Sequence, residues 1–172
     1  MRHSKAFVFW PVLLGLIALD CTTKNLAVDK LSPAHVPHQV IGDVVRFTLA
    51  YNAHAAMGLS LGSYSRVGFA LLAAIMLGGL VIYRRRISAQ NSASAIALAL
   101  IGGGAAGNLM DRVRSSLGVV DFIDVGVGNT RFYTFNVADA GVFCGTLLLL
   151  LVLTRQNHQA GSTPPPDRNE LA

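Results

Sequence analysis

Charged residues are scarce in this sequence. They make up 13% of its 172 residues, against about 25% in soluble domains, whereas apolar residues reach 52%. The apolar excess is gathered in long blocks, which is typical of a chain that crosses a membrane several times. No stretch is left that is long enough for a separate soluble domain.

Residues that bind metals or form disulfides are also few. The two cysteines, Cys21 and Cys144, fall inside apolar blocks, where a thiol usually behaves as a small apolar side chain. The five histidines show no spacing that would place several ligands on one helix face. We therefore expect no disulfide, no metal site and no cofactor.

The net charge is +5, but the basic residues form no stripe interleaved with aromatic residues. A nucleic-acid partner is therefore not expected, since such a stripe is its usual footprint. No serine or cysteine lies in a recognisable triad context either, which argues against catalysis by a nucleophilic side chain.

Four blocks with few or no charges each approach or exceed the roughly 17 to 25 residues that cross a bilayer. They predict transmembrane helices over about residues 6–24, 67–83, 92–110 and 133–154. The predicted fold class is an all-α membrane protein with a small β element. We expect residues 1–155 to form one integral-membrane domain and residues 156–172, with three consecutive prolines, to be a disordered cytoplasmic tail.

The first block also has features of a cleaved signal, namely a basic start and Cys21 after an apolar run. Cleavage before Cys21 requires small residues, whereas Leu19 and Asp20 occupy those positions. We therefore interpret this block as a retained helix.

Two groups of charges bear on orientation. Residues 84–86 are three arginines between the second and third blocks, and basic loops favour the cytoplasm. Counted together with these arginines, six basic residues outside the tail lie on that side of the membrane and seven on the other, so the total charge supports the orientation only in part. Every acidic residue outside the tail lies at or beyond the opposite face, so we expect any chemistry there.

A small extracytoplasmic sheet is predicted within residues 28–66, which we describe as a β-cradle. Val45, Phe47, Leu49 and Tyr51 alternate with more polar residues, the period of a strand with one apolar face. An open strand edge of such a sheet is able to hold an extended peptide through backbone hydrogen bonds.

Polar pairs at helical spacing mark two of the predicted helices. Asp20 and Lys24 are four residues apart, so they share a face as an ion pair, with or without a role in positioning substrate. Asn136 and Asp139 are three residues apart at the start of the last block and are expected to share a face as well.

The third block combines small and polar residues. Gly103 and Gly107 form a G-x-x-x-G pair that lets another helix approach closely, and we interpret these glycines as packing residues. Asn108, Asp111 and Arg112 follow at spacings that place them on one helix face. A shared polar face next to lipid predicts a buried network.

Two aspartates stand out because their surroundings are apolar. Asp121 lies in a short β-branched segment, and Asp139 lies in the last apolar block, where an ionisable group is costly. If the two meet, they share a proton near neutral pH and are able to activate water against a peptide bond, as in aspartic peptidases. Proton-coupled carriers and structural ion pairs also use such acids.

Five motifs follow one another along the chain: Asp20-x-x-Thr23-Lys24, Tyr51-Asn52-x-x-Ala55-Ala56, Gly103-Gly104-x-x-Gly107-Asn108-x-x-Asp111-Arg112, Val119-Val120-Asp121-Phe122 and Phe135-Asn136-x-Ala138-Asp139. In order and spacing they resemble the motif set of the lipoprotein signal peptidases (signal peptidase II). The resemblance spans residues 7–155.

This resemblance implies a monomeric four-helix aspartic endopeptidase of the bacterial inner membrane, with its site at the periplasmic face among membrane lipids. The implied substrates are diacylglyceryl-modified prolipoproteins, cut just before the lipidated cysteine. The implied catalytic pair is Asp121 and Asp139. The residues implied to orient or support that pair or the substrate are Asn108, Arg112, Asn136, Asp20, Lys24, Asn52 and Asp111.

The sequence departs from the family pattern at three positions. His54 and Met57 stand where relatives usually carry glycine and phenylalanine, and Ala140 stands where many carry serine. A non-catalytic binder or chaperone of lipidated precursors is therefore an alternative. A proton-coupled carrier is a third, although the sequence lacks the paired broken helices of such proteins.

Overall fold

The computed structural model describes residues 4–53, 62–84 and 92–161. Its helices are α1 (Ser4–Leu31), α2 (Ser65–Arg84), α3 (Ser92–Arg114) and α4 (Val137–Gly161), and a short 3-10 turn, Gly62–Tyr64, precedes α2. Its strands are β1 (Pro37–Ile41), β2 (Val45–Asn52), β3 (Val119–Val127) and β4 (Thr130–Arg131). His54, Met57, the second and third arginines of the predicted basic loop, and residues 162–172 lie outside the described residues. Residues 156–161, the start of the predicted disordered tail, instead continue helix α4.

The chain is mostly helical, as predicted. Among the residues that the structure describes, three helical segments are long and apolar enough to cross a membrane, namely Phe7–Leu31, Ser92–Arg114 and Val137–Gln156. Within α2 the apolar segment is shorter, Val67–Leu80.

Helix α3 lies at the centre of the bundle and packs against α1, α2 and α4. Small residues permit this packing, because a side chain at Gly104 would collide with the carbonyl oxygen of Ala138 on α4. Near the other end of α3, Leu98 and Ala99 pack with Phe9 of α1 in an apolar cluster. The prediction that the glycines of α3 serve packing agrees with these contacts.

The four strands form one antiparallel sheet in the order β1-β2-β3-β4. Strand β2 occupies the segment in which alternation predicted a strand, and its Leu49 is buried. Beneath the sheet, Leu49 packs with Ala27 and Leu31 from the end of α1 and with Val120 and Phe122 from β3. This cluster attaches the sheet to the end of the bundle.

The sheet differs from the cradle predicted within residues 28–66. Residues 28–31 belong to α1, because Ala27 and Leu31 continue the helix into the apolar cluster under the sheet. Strands β3 and β4 come from residues 119–131, outside the predicted range, and β3 pairs with β2 along most of its length. A pairing between such distant segments has no signature in either one alone.

The fourth helix begins later than the predicted residue 133. Phe135 instead pairs with Ile123 of β3, and the two exchange backbone hydrogen bonds of 2.8 and 3.0 Å. Helix α4 therefore starts at Val137, and Asn136 is the residue that precedes it rather than part of its face.

Candidate active site

The residues that the sequence singled out converge at one end of the helical bundle. This end contains the later part of α1, the last turns of α3, the start of α4 and the adjoining strands β2 and β3. The structure joins by direct contacts Asp20, Lys24, Asn52, Asn108, Asp111, Arg112, Asn136, Asp121 and Asp139.

The first turn of α4 fixes Asp139. The backbone N–H of Asp139 donates to Asn136 Oδ1 at 2.9 Å, and the backbone N–H of Asn136 donates to Asp139 Oδ2 at 3.2 Å. This reciprocal arrangement is a capping box, which satisfies two backbone donors at the start of the helix. A carboxylate there is also favoured by the helix dipole.

Asp121 lies on β3 with 3% of its surface exposed. Its Oδ1 accepts a hydrogen bond of 2.7 Å from Asn136 Nδ2, and its Oδ2 accepts one of 3.1 Å from Asn52 Nδ2. Asn52 is the last residue of β2. The strand pairing and the cap of α4 therefore hold the Asp121 carboxyl group from two sides.

Two asparagines connect the two acids. Asn136 donates to Asp121 through its side chain and to Asp139 through its backbone. Asn108 Nδ2 donates to Asp139 Oδ1 at 2.8 Å, and Asn108 Oδ1 accepts from Asn136 Nδ2 at 3.1 Å. The expectation that acids from distant parts of the chain share one polar site is met by these contacts.

The pKa of Asp121 is raised from an ordinary value of 3.8 to about 7. Burial is the main cause, because it disfavours the ionised form, and repulsion from Asp139 adds to it. Hydrogen bonds from Asn52 and Asn136 and attraction to Lys24 oppose the shift only in part. Asp121 is therefore a buried acid that takes or releases a proton near neutral pH.

Lys24 is the centre of a buried network of charges. Its ammonium lies 2.8 Å from Asp20 Oδ2 and 2.9 Å from Asp111 Oδ2, and it donates to Asn108 Oδ1 at 2.9 Å. The ammonium therefore forms ion pairs with two carboxylates and a hydrogen bond with one amide oxygen. Lys24 is 3% exposed and Asp20 fully buried.

Arg112 completes the polar face of α3. Its Nη1 donates to the carbonyl oxygen of Asn108 at 3.1 Å, one turn earlier in the helix. The guanidinium also attracts the carboxylates of Asp139, Asp121 and Asp111. Its positive charge therefore acts on both Asp121 and Asp139.

On the β3 side, the network reaches the backbone beside Asp121. Asp111 Oδ2 accepts the backbone N–H of Val120 at 3.2 Å. Helical spacing predicts the place of Asp111 in the polar face of α3 but not this contact, which depends on the return of β3 to the helix end.

On the α4 side, the network reaches the backbone beside Asp139. Asp20 Oδ1 accepts the backbone N–H of Ala138 at 2.9 Å. A side-chain carbon at Gly107 would lie 2.5 Å from Asp20 Oδ2. Gly107, which the sequence marked only as a packing residue, therefore also makes room for the Asp20 carboxylate.

Within the described ranges, no group of three or more His, Cys, Asp or Glu side chains is arranged to hold a metal ion. The chemistry that the arrangement itself supports is acid–base chemistry, because two carboxyl groups are held at one site by shared asparagine donors.

Comparisons with known proteins agree with the resemblance found in the sequence. Residues 12–155 match the family described as Signal peptidase (SPase) II. A lipoprotein signal peptidase of Pseudomonas putida is 43% identical over 154 residues, covering 87% of this chain and 88% of that protein. One of Geobacillus thermodenitrificans is 34% identical over 152 residues, covering 88% of this chain and 92% of that protein.

The fold is shared with a solved bacterial membrane enzyme, determined in meso at 2.3 Å resolution. The TM-score is 0.78 at 26% sequence identity, with 90% of this chain and 92% of the other covered. A second bacterial membrane enzyme, at 1.9 Å resolution, gives a TM-score of 0.72 at 28% identity. Family match, relatives and fold agree along nearly the whole length: this chain belongs to the signal peptidase II family.

Proposed function

We propose that Asp121 and Asp139 are the catalytic pair with which this enzyme removes signal peptides from lipoprotein precursors. The observation that carries the proposal is that Asn136 donates one hydrogen bond to each acid. Such an arrangement holds two carboxyl groups at one site while leaving them chemically different. Membership of the peptidase family favours this activity over a non-catalytic binder or a carrier.

The two acids divide the work of hydrolysis. Asp139, at the helix N-terminus and near Arg112, is the carboxylate that takes a proton from a water molecule as its oxygen attacks the peptide carbonyl carbon. Asp121, protonated near neutral pH because its pKa is about 7, donates a hydrogen bond to the carbonyl oxygen. The tetrahedral intermediate then breaks its C–N bond as Asp139 passes the proton to the leaving nitrogen.

The neighbouring side chains keep the pair in this state. Asn108 and Asn136 orient the carboxyl groups, and Asn52 holds Asp121 from the strand side. Arg112 stabilises negative charge on the pair. The site is also supported by the ion pairs that Lys24 forms with Asp20 and Asp111.

We place the site at one surface of the membrane. All four helices span the bilayer, α2 included, and residues 1–155 act as a single domain with a cytoplasmic tail at 156–172. The sheet lies at the periplasmic face of the inner membrane as a cradle beside the site. A monomer is sufficient, because one chain supplies both acids and every partner described for them.

The substrate enters laterally from lipid as a diacylglyceryl-modified prolipoprotein and is cut before the lipidated cysteine. The position of the acids at the ends of α3 and α4 supports this, since a bond at the membrane surface is then within reach while the signal peptide remains in the bilayer.

The test uses purified full-length protein in lipid vesicles and a precursor prepared with and without the diacylglyceryl group. We expect release of the signal peptide from the lipidated precursor only, and no release by Asp121→Asn or Asp139→Asn. Retention of the precursor without cleavage by the wild-type protein would instead support the binder. Equal cleavage of both precursors would contradict the proposed substrate.

A further inference from the structure

One buried cation is linked to both proposed catalytic acids through matching contacts. Asp111 and Asp20 each contact the Lys24 ammonium, at 2.9 and 2.8 Å. Each of these carboxylates also accepts the backbone N–H of the residue that immediately precedes a catalytic acid, Asp121 in one case and Asp139 in the other. Both contact chains therefore start at Lys24, and each ends at the residue beside one of the two reacting groups.

We propose that Lys24 is a positioning residue that sets the separation of the Asp121 and Asp139 carboxyl groups by holding Asp111 and Asp20 together. This inference rests on the proposed function, because it takes those two acids as the reacting pair. Lys24 acts on the two acids through its contacts with Asp20, Asp111 and Asn108.

Burial makes the link strong. The side chains of Lys24 and Asp20 are 3% and 0% exposed, and that of Asp111 is 18% exposed. Two carboxylates this close in a buried site repel each other unless a cation lies between them. Removal of one member of a buried charge network leaves the others uncompensated. Without the ammonium, Asp20 and Asp111 therefore separate or take up protons, and the backbone segments they hold shift with them.

A third contact of Lys24 acts on the pair directly. Because Asn108 Oδ1 accepts from the ammonium, the amide of Asn108 is turned so that its Nδ2 donates to Asp139. An amide turned the other way would present an oxygen to the Asp139 carboxylate. Lys24 thus fixes both the position of the acids and the orientation of a donor between them.

Hydrolysis by a pair of acids depends on their spacing, since water and carbonyl must fit between them. A displacement of about 1 Å in a catalytic group costs about 100-fold in rate. Binding of the substrate depends far less on that spacing. The expected signature of the positioning role is therefore a loss in kcat with little change in KM.

The experiment measures kcat and KM per folded protein with the lipidated precursor. Lys24→Met, Asp20→Asn and Asp111→Asn are each expected to lower kcat about 100-fold and to change KM by less than about twofold. The double variant Asp20→Asn/Asp111→Asn is expected to lose no more than the worse single variant, because either change already breaks the link. Independent, multiplied losses would contradict a shared link.

A probe without any charge change uses the glycines of α3. Gly107→Ala places a methyl group where the Asp20 carboxylate lies, and its kcat is expected to fall. The matched control is Gly102→Ala, whose methyl group would meet side-chain carbons of Leu80, Leu13 and Leu77, at 3.2, 3.4 and 3.9 Å. Its kcat is expected to stay at the wild-type value. This pair decides the question even where Lys24→Met fails to fold.

The results separate the two proposals. Wild-type kcat in Lys24→Met and Gly107→Ala, with Asp121→Asn and Asp139→Asn inactive, would overturn the positioning role and leave the proposed function intact. Wild-type kcat in Asp121→Asn or Asp139→Asn would overturn the proposed function itself.

Discussion

Strand β3 carries two buried aspartates, one beside a cation and the other beside amide groups. Asp121 is 3% exposed and Asp124 7% exposed, so both have lost most of their contact with water. Asp124 Oδ1 accepts a hydrogen bond of 2.5 Å from Arg131 Nε, and Asp124 Oδ2 accepts one of 3.0 Å from the Thr48 hydroxyl. Asp121 accepts hydrogen bonds from the neutral amides of Asn52 and Asn136, and the nearby Asp139 repels its ionised form.

The difference shows how a buried acid becomes either structural or reactive. Asp124 is neutralised by a cation, and Arg131 also donates to the carbonyl oxygens of Asp43 and Asp124, at 2.9 and 3.1 Å. That cluster ties β4 and the β1–β2 turn to β3. At Asp121 a proton takes the place of that cation near neutral pH, because burial and repulsion from Asp139 raise the pKa of this acid to about 7.

The largest expected effect concerns the pH dependence of stability. The pKa of Asp121 is raised from 3.8 when unfolded to about 7 in the folded protein. Folding therefore favours the protonated acid, and stability is lost as pH rises from about 4 through about 7. Three pK units correspond to about 4 kcal/mol. Denaturant titrations in micelles should show this loss in the wild-type protein and not in Asp121→Asn.

The control for this prediction is Asp124→Asn. Since that variant keeps Asp121, its stability should still fall over the same pH window. An equal pH dependence in wild type and Asp121→Asn would show that the Asp121 pKa is not raised by folding.

Removal of the cation from the structural acid is the next largest effect. Arg131→Met leaves the Asp124 carboxylate buried without its partner, which should lower the free energy of unfolding by about 3 kcal/mol. The kcat of the protein that remains folded should change little, because no contact of Arg131 reaches Asp121 or Asp139 in the described structure. A large loss of kcat with unchanged stability would contradict the division between the two acids.

The pH dependence of activity gives a somewhat smaller effect. Hydrolysis needs Asp121 protonated, so kcat should fall as pH rises above about 7, by about tenfold for each pH unit. Stopped assays with the lipidated precursor measure this alkaline limb. In Lys24→Met this fall in kcat should begin at a higher pH, because attraction to Lys24 lowers the pKa of Asp121. A rate independent of pH from about 7 to 9 would contradict the assigned role of Asp121.

The smallest effect is expected at Thr48, which donates a hydrogen bond to the Asp124 carboxylate. Thr48→Val removes one hydrogen bond to Asp124 and should cost about 1 kcal/mol of stability, with unchanged kcat and KM. Thr48→Ser, which keeps the hydroxyl, is the matched control and should recover most of the loss.

Much of the site could be predicted from the sequence because several of its residues lie one helical turn apart along the chain. Asp20 and Lys24 lie one helical turn apart, as do Asn108 and Asp111, and the structure brings these pairs together as their spacing requires. Strand β2 was equally visible, since its alternation is a local property.

The remainder depends on contacts that short segments do not encode. Asp121 and Asp124 look alike in the sequence, and only the register of β3 against β2 and β4 assigns amides to one and a cation to the other. The start of α4 was placed too early because Phe135 is as apolar as the helix that follows. Its pairing with Ile123 excludes it from the helix.

The most direct test compares three variants of one kind, Asp121→Asn, Asp139→Asn and Asp124→Asn, for cleavage of a lipidated precursor by protein that is folded and inserted in lipid. The prediction is that the first two release no signal peptide, whereas the third, buried on the same strand as Asp121, cleaves at a rate close to that of the wild type. Cleavage by either of the first two at the wild-type rate would contradict the assignment of these acids as the reacting pair.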